Sequence, residues 1–349
     1  MSTALRDAVA RLMSQERLGA DETAAAVESI MEGEAPAALV GAFLGASRAL
    51  GLTVEQVVGA ARAMRAHAEK VHCGRAPLVD NCGTGGDGAS TFSISTAAAL
   101  VAAGAGASVA KHGNRAASGR FGGADALEAL GVEIDLPPEA LGRCLDEVGM
   151  AFLFARRLHP AMRHVAPIRS ELGVRTLFNL LGPLTNPAGV QRQVIGVASG
   201  EALRLVSGAL AELGCEHALV LHGRDGLDEV SLAAPVDAVE IRDGELNTQV
   251  LDASTFGLPE TQQGVARVET LEESVAVIRE IFSGVAGPRA DIVVANAALT
   301  LYVAGKAENL TEATAQARGA IETGAASALL ADLARFTQAA QAEAGNATG

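Results

Sequence analysis

Residues 77–88 of the chain read PLVDNCGTGGDG, and an Ala-rich stretch with several Ser and Thr residues follows them to residue 103. The short apolar run predicts a β-strand, the glycines predict a loop, and the Ala-rich stretch predicts a helix. Successive free N–H groups beside a helix N-terminus favour an anion, and glycine lets the backbone approach that ligand closely. The segment therefore predicts a strand–loop–helix unit that holds a phosphate group.

Short β-type runs continue after this unit and alternate with helix-length segments. They lie at residues 107–110, 193–197, 218–221, 236–241 and 291–294. Strands that alternate with helices in this way usually pair in parallel. The pattern predicts an α/β domain with a mostly parallel central sheet and flanking helices.

The first 72 residues carry helical periodicity and no strand pattern. Leu5, Val9 and Leu12 recur on one face, and Thr53 with Gln56 resembles a capping box ahead of an apolar run. We therefore expect a small helical N-terminal domain at residues 1–72 and a larger α/β domain at residues 73–349.

The composition disfavours several classes of function. The 349 residues include 27 Lys and Arg against 41 Asp and Glu, and the net charge of −14 argues against non-specific nucleic-acid binding. The absence of Trp and the single Tyr argue against base-stacking platforms and aromatic membrane girdles. No apolar leader follows Met1 and no CxxC pair occurs, so we expect a cytoplasmic protein with reduced thiols and no membrane contact.

The second strand of the unit ends in a basic sequence, KHGNR at residues 111–115. The glycine loop satisfies the dinucleotide pattern GxGxxG, but that pattern needs a carboxylate at the end of the second strand. Its absence disfavours an NAD-dependent dehydrogenase, whereas a basic strand end suits a second phosphate. We expect this loop to face the same crevice as the glycine loop, with Lys111 as a phosphate partner and Asn114 as an orienting group.

Residues 151–200 contain six arginines, two histidines and one acidic residue, in contrast to the negative charge of the whole chain. Arginine can grip a carboxylate with two parallel hydrogen bonds, so this arginine-rich segment predicts an anionic substrate. We expect Arg169, which stands near a proline and an apolar run, to bind that substrate. For Arg156, Arg157 and Arg192 we expect ion pairs with acidic residues elsewhere.

Two adjacent carboxylates, Asp228 and Glu229, follow the strand predicted at residues 218–221. Such a pair is either a solvated turn or a cation site, because its negative charges repel each other. Mg²⁺ prefers a few carboxylates together with water and substrate phosphates. With two phosphate loops predicted on the same crevice, we expect the pair to hold Mg²⁺.

Six segments of the chain stand in an order typical of one family. They are residues 83–87 (GTGGD), 111–115 (KHGNR), 159–162 (HPAM), 165–176 around Arg169, 179–187 (NLLGPLTNP) and 226–229 (GLDE). Together they closely resemble the anthranilate phosphoribosyltransferase family of tryptophan biosynthesis, and the resemblance covers nearly the whole chain. It implies transfer of a phosphoribosyl group from 5-phosphoribosyl 1-pyrophosphate (PRPP) to the amine of anthranilate, with release of pyrophosphate.

The resemblance also implies an architecture, a cofactor and an assembly. The helical domain of residues 1–72 would be joined in space by residues 165–190, and the α/β domain would be of nucleoside-phosphorylase type. Members of the family use Mg²⁺ and form homodimers.

Positions that match the family's motifs would carry its binding residues. The resemblance assigns PRPP to Gly83, Gly86, Asp87, Thr91, Ser93, Ile94, Ser95, Thr96, Lys111, His112, Gly113, Asn114, Arg115, Ala116, Ala117, Ser118, Gly119 and Gly123. It assigns anthranilate to Gly83, His112, Asn114, His159, Arg169 and Pro183, and Mg²⁺ to Ser95, Asp228 and Glu229. The catalytic contribution would come from Lys111, Asn114, Arg169, Asp228 and Glu229.

Three positions depart from the family pattern. Ser93 stands where Asn is usual, and Phe121 and Gly123 replace small hydroxyl residues, so we expect weaker or differently placed PRPP binding. Two alternatives stay open. A pyrimidine nucleoside phosphorylase-like enzyme on the same fold would need neither Arg169 nor the acidic pair, and a non-catalytic nucleic-acid-binding relative would need a basic surface.

Overall fold

A computed structural model describes residues 3–115 and 121–347, with side chains described as far as residue 343. The N-terminal part consists of helices α1 (Thr3–Met13), α2 (Ala20–Met31), α3 (Ala37–Leu50) and α4 (Val54–Ala66). The capping box predicted at the start of α4 is confirmed: Gln56 N–H donates to Thr53 Oγ1 (3.3 Å), and Thr53 N–H donates to Gln56 Oε1 (3.0 Å). The predicted helical N-terminal region is therefore present.

One mixed sheet forms the centre of the α/β part. Its strands are β1 (Leu78–Asp80), β2 (Ser108–Gly113), β3 (Met150–Phe154), β4 (Arg192–Gly196), β5 (His217–Gly223), β6 (Val236–Arg242) and β7 (Glu245–Leu251). The strand order is β3-β2-β1-β4-β5-β6-β7; the pairs from β3 to β5 are parallel, and β6 and β7 add antiparallel pairs. The predicted mostly parallel sheet is confirmed.

Helices cover both faces of the sheet. They are α5 (Ile94–Gly104), α6 (Gly123–Ala129), α7 (Pro138–Val148), α8 (Ala155–Leu158), α9 (Ala166–Leu172), α10 (Phe178–Leu181), α11 (Gly200–Glu212), α12 (Leu271–Phe282), α13 (Pro288–Val303), α14 (Leu310–Glu322) and α15 (Ala325–Ala347). Short 3₁₀ helices lie at Pro160–His164, Pro183–Thr185 and Ala253–Phe256. Across the part of the chain that the structure describes, none of the helices combines the length and the apolar character that crossing a membrane requires.

The sheet separates two hydrophobic cores. Because successive strand residues point to opposite faces, Leu219 and Leu221 of β5 enter one core, together with α5 and α13. Ala218 and Val220 enter the other core, which also contains the buried side chains of α1–α4 and apolar residues from 165–184. The helical region and residues 165–184 thus pack on the same face of the sheet.

One strand prediction is wrong. Residues 291–294, expected as a strand, lie inside helix α13, which is buried along nearly its whole length. A short β-branched run in a helix that is apolar on all sides cannot be distinguished from a buried strand by its periodicity. The carboxyl ends of the true parallel strands β1, β2, β4 and β5 converge on one edge of the sheet.

Candidate active site

The glycine loop after β1 lies on the end of β4 and on the acidic loop after β5. Thr84 N–H donates to the carbonyl oxygen of Gly196 (2.8 Å), and Gly85 N–H donates to Asp228 Oδ2 (3.1 Å). A Cβ on Gly83 would lie 3.1 Å from Asp228 Oδ2 and from the Gly196 carbonyl oxygen, so this position leaves little room for a side chain. The structure therefore brings together two loops that the sequence assigned to phosphate and Mg²⁺.

The acidic pair is tied to the backbone of both phosphate-binding elements. Glu229 Oε1 accepts a hydrogen bond from Ser95 N–H in the first turn of α5 (2.9 Å). Burial raises the pKa of the Asp228 carboxyl, and the neighbouring Asp87 raises it further. Burial also raises the pKa of Glu229, with added repulsion from Asp228 and Asp87. Three carboxyls in one half-buried site would be stabilised by a bound cation.

The donor set fits Mg²⁺ that is held partly by its substrate. Within residues 3–115 and 121–347, no group of three or more His, Cys, Asp or Glu side chains is arranged to hold a metal ion by itself. Mg²⁺ needs only one or two carboxylates when water and substrate phosphates complete its shell. Asp228 and Glu229 supply such hard oxygen donors. Ser95 contacts the acidic pair through its backbone N–H, which donates to Glu229. Its assignment as a metal ligand stays a prediction.

Sequence reasoning missed Asn296, which supports the acidic pair from α13. Its Oδ1 accepts a hydrogen bond from Val230 N–H (3.1 Å), and its Nδ2 donates to the Val230 carbonyl oxygen (2.9 Å). These paired bonds fix the backbone directly after Glu229. Asn296 lies two residues after the segment wrongly predicted as a strand, so no sequence signal placed it near residue 229.

Lys111 is buried beside the glycine loop and does not point into solvent. Its Nζ donates to Asn81 Oδ1 (2.8 Å). Burial lowers the pKa of Lys111, whereas the negative charges of Asp80 and of the acidic pair raise it. Asp80 accepts hydrogen bonds from His112 N–H (3.1 Å) and from Asn186 Nδ2 (2.8 Å), and burial raises its pKa to about 6. The basic strand end is thus fixed by a buried polar network.

His112 and His159 form a buried pair with ring centroids 5.1 Å apart. Burial lowers their pKa values to about 4 and about 3, so both rings are neutral near pH 7. His112 Nδ1 lies 2.9 Å from the Gly182 carbonyl oxygen, which can only accept, and its Nε2 then carries a lone pair. In the described part of the chain, the buried Nε2 atoms of both rings have no hydrogen-bond partner. Each ring therefore has one buried nitrogen whose hydrogen-bonding capacity is unused within the described residues.

Arg169 lies on helix α9, ten residues after His159 in the sequence. Its guanidinium carbon is 5.7 Å from the ring centroid of Phe178, and burial lowers its pKa. Among the described residues its side chain has no hydrogen-bond or ion-pair partner, which leaves its donors free for an anion. Pro183 is buried at the start of a 3₁₀ helix, and its carbonyl oxygen accepts from Gln193 Nε2 (2.6 Å).

The loop after β2 is only partly described. Arg115 forms ion pairs with Asp125 (2.6 Å) and Glu128 (2.5 Å) of α6, while the exposed Asn114 accepts from Arg115 N–H (2.9 Å). A Cβ on Gly113 would lie 2.5 Å from the ring of Phe152. The predicted PRPP contacts Ala116, Ala117, Ser118 and Gly119 lie outside the described residues. The ion pairs with α6 neutralise the charge of Arg115. In the described part of this strand end, Lys111 therefore carries the positive charge that lies nearest the acidic pair.

The start of α5 holds the remaining predicted PRPP residues. Ser93 N–H donates to Ser274 Oγ (3.1 Å), and Thr91 forms an isolated β-bridge with Arg267. Ile94 is fully buried and Thr96 is buried under α6. A Cβ on Gly123 would lie only 2.7 Å from Thr96 Oγ1, so the start of α6 packs closely against Thr96. The assignment of all these residues to PRPP stays a prediction.

Of the three arginines expected to form ion pairs with acidic residues elsewhere, two do so. Arg157 pairs with Asp135 (3.3 Å) and Arg192 pairs with Glu216, both away from the glycine loop. Arg156 is exposed and has no ion pair among the residues described.

Comparisons with known proteins identify the family of this chain. A family model described as "Glycosyl transferase family, helical bundle domain" matches residues 6–68, and one described as "Glycosyl transferase family, a/b domain" matches residues 75–327. An anthranilate phosphoribosyltransferase from Symbiobacterium thermophilum is 47% identical over 336 residues, which cover 95% of this chain and 98% of the relative. The chain belongs to the anthranilate phosphoribosyltransferase family.

Solved structures of the family have the same fold. The anthranilate phosphoribosyltransferase of Thermus thermophilus is 43% identical and gives a TM-score of 0.89, covering 95% of this chain and 99% of that chain. The Saccharomyces cerevisiae enzyme, solved in complex with PRPP and Mg, gives a TM-score of 0.88 at 27% identity, covering 97% of this chain and 99% of that chain. The helical domain with a larger α/β domain is therefore confirmed as the fold of this chain.

Proposed function

We propose that the protein transfers the phosphoribosyl group of PRPP to the amine of anthranilate, in tryptophan biosynthesis, and releases pyrophosphate. The observation that carries this proposal is the contact between the glycine loop and the acidic loop, through Gly85 N–H and Asp228 Oδ2. This contact places a loop whose backbone N–H groups can bind an anion beside two carboxylates that can bind Mg²⁺. The relatives named above and the yeast complex with PRPP and Mg support the same chemistry.

The chain's own residues would stabilise the pyrophosphate as it leaves. Bound Mg²⁺, held by Asp228 and Glu229, would supply positive charge to the leaving group. The glycine-loop N–H groups are preorganised donors for the same charge, and Lys111 adds a buried ammonium beside them. As the bond to pyrophosphate breaks, the ribose carbon becomes positively charged, so a weak nucleophile is sufficient.

Anthranilate would be positioned by residues on the other side of the crevice. Arg169, whose guanidinium has no ion-pair partner in the described chain, would grip the substrate carboxylate with two hydrogen bonds. The Nε2 atoms of His112 and His159, which have no partner in the described chain, would form hydrogen bonds with a polar group of the substrate. The aryl amine is already neutral near pH 7, so its placement matters more than removal of a proton before attack. Gly83, Asn114 and Pro183 would line the same path.

Family membership further supports a homodimer and a cytoplasmic location for the protein. Sedimentation velocity of the purified chain tests the dimer. A mass that corresponds to a single chain at micromolar concentration would reject it.

One assay tests the proposed activity. Purified protein, PRPP, Mg²⁺ and anthranilate are mixed, and the loss of anthranilate fluorescence is followed. Matched reactions without Mg²⁺, and with aniline in place of anthranilate and pyrophosphate release as the readout, are expected to be slow, because they remove the cation and the carboxylate that Arg169 would bind. A correctly folded protein that leaves the fluorescence unchanged would reject the proposed function.

A further inference from the structure

Arg175 connects the glycine loop to the segment between α9 and α10. Its Nη1 atom donates hydrogen bonds to the carbonyl oxygens of Gly85 (3.3 Å) and Gly86 (3.2 Å). A Cβ on Gly86 would overlap this Nη1 atom, so the contact requires a residue without a side chain there. The sequence placed Arg175 in the arginine-rich segment but gave it no role.

The backbone that carries Arg175 is firmly anchored. Helix α9 ends at Gly173 in the left-handed conformation, with a φ of 63°. The next anchor is Thr176, which is buried and donates its N–H to Asn179 Oδ1 (2.8 Å). Leu177 and Phe178 then enter the core that contains the N-terminal helices. The guanidinium therefore reaches the glycine loop from a fixed base.

The two hydrogen bonds set the direction of two successive peptide units. In a planar trans peptide, the carbonyl oxygen and the N–H point in opposite directions. Because the oxygens of Gly85 and Gly86 face Arg175, the N–H groups of Gly86 and Asp87 face away from it. Within the described residues, neither of these N–H groups has a hydrogen-bond partner. Successive N–H groups on one side of a loop form a concavity that binds anions.

We propose that Arg175 is a positioning residue for the diphosphate of PRPP. It holds the Gly85 and Gly86 peptide units so that the Gly86 and Asp87 N–H groups meet the diphosphate, and its charge raises the local positive potential. The proposal rests on the function proposed above, which brings a diphosphate to this loop. It adds a residue from the helical side of the crevice to a site otherwise built from strand ends.

Titration with inorganic pyrophosphate and Mg²⁺ tests this role without the need for turnover. Isothermal calorimetry is expected to show about tenfold weaker binding for Arg175→Gln than for the unmodified protein. Because Nη1 alone makes both hydrogen bonds, Arg175→Lys is expected to retain binding within about threefold. The matched control Arg204→Gln removes the same charge from an exposed position on α11 and is expected to change nothing.

Steady-state kinetics separate positioning from a general structural role. For Arg175→Gln we expect the KM for PRPP to rise by about tenfold and the KM for anthranilate to stay within about twofold. Loosening of the whole segment would instead raise both KM values and would not be rescued by Lys. If Arg175→Gln fails to fold, Arg175→Met, which keeps a long side chain but removes its charge and its donors, takes its place in both experiments with the same expected result and the same contradicting result.

The two proposals fail in different ways. Pyrophosphate binding by Arg175→Gln within about twofold of the unmodified protein overturns the role of Arg175, whatever the turnover. Absence of phosphoribosyl transfer by the unmodified protein overturns the proposed function. In that event the calorimetric comparison still decides whether Arg175 positions a diphosphate site.

Discussion

The backbone carbonyl of Asp228 fills the space in which a side chain on Gly196 would stand. At the same position, the Gly196 carbonyl oxygen accepts the Thr84 N–H (2.8 Å). The last residue of β4 therefore touches the acidic loop on one side and the glycine loop on the other. It sets the distance between the two elements that would hold the leaving group.

Substitution of Gly196 is expected to displace the acidic loop and so to lower both stability and activity. In Gly196→Ala the added methyl must push Asp228 away, and such overpacking costs about 1–3 kcal/mol of unfolding free energy. We expect kcat/KM to fall by more than about tenfold, because displaced catalytic groups lose their alignment. Urea unfolding and the fluorescence assay measure the two effects. The control Gly200→Ala adds a methyl where nothing lies within 4 Å, and equal behaviour of both variants would contradict this account.

Removal of the acidic charges is expected to abolish the response to Mg²⁺. Asp228→Asn with Glu229→Gln keeps the size of both side chains and oxygens that can accept from Gly85 and Ser95 N–H. We expect kcat/KM to fall by at least about a hundredfold, with no recovery as Mg²⁺ is increased. Initial rates over a range of Mg²⁺ concentrations provide the test. Glu201→Gln, on the exposed start of α11, is the control, and a Mg²⁺ dependence retained by the double variant would disprove the metal assignment.

The affinity for Mg²⁺ is expected to depend on pH. Because the folded protein raises the pKa of Asp228 and of Glu229, these carboxyls retain protons that a bound cation must displace. The Mg²⁺ concentration that gives half-maximal rate should therefore fall as pH rises through the neutral range, and Mg²⁺ binding should release protons. Calorimetry in buffers of different ionisation enthalpy counts those protons; a count of zero across this range would argue against the raised pKa values.

The same pKa shifts give a stability prediction with a definite sign. At pH values between the ordinary pKa of a carboxyl and its raised pKa in the folded protein, the folded protein binds more protons than the unfolded chain. The free energy of unfolding in the absence of Mg²⁺ should then decrease as pH rises through that interval. Asp228→Asn with Glu229→Gln should flatten this part of the pH profile. Thermal unfolding at a series of pH values, with and without Mg²⁺, measures both slopes.

Arg169 is expected to govern the affinity for anthranilate and not for PRPP. Loss of a paired, charge-assisted hydrogen bond typically costs about 1.5–3 kcal/mol, so Arg169→Ala should raise the KM for anthranilate by about 10- to 100-fold. Arg169→Lys retains the charge but cannot form the two parallel bonds, and should recover only part of the loss. Arg156→Ala, in the same arginine-rich segment, is the control. An unchanged KM for anthranilate in Arg169→Ala would show that another group binds the carboxylate.

The meeting of the two loops could be predicted from the sequence because it depends on a rule of topology. Carboxyl ends of parallel strands converge on one edge of the sheet, so the residues after β1 and β5 had to approach each other. The capping box of α4 was equally predictable, since it depends on residues only three positions apart. Local and topological signals of this kind do not require knowledge of packing.

Residues that depend on packing between distant segments could not be predicted. Asn296 supports Val230 across 66 positions of sequence, from a helix that periodicity assigned to a strand. Arg175 was indistinguishable from its neighbours in the arginine-rich segment until its contact with Gly85 and Gly86 was known. Strand β7 was missed as well, because its residues are mostly polar and exposed and have no apolar alternation to detect.

The core beneath β4 and β5 has an evolutionary consequence. Ile195, Ala218 and Val220 share one continuous core with Phe43 and Val57 of the N-terminal helices. A change of side-chain volume in either region must be matched in the other, because close-packed interiors tolerate little change in total volume. We therefore expect substitutions in the helical and α/β parts to be coupled, and exchange of the N-terminal helices between distant relatives should require changes on this face of the sheet.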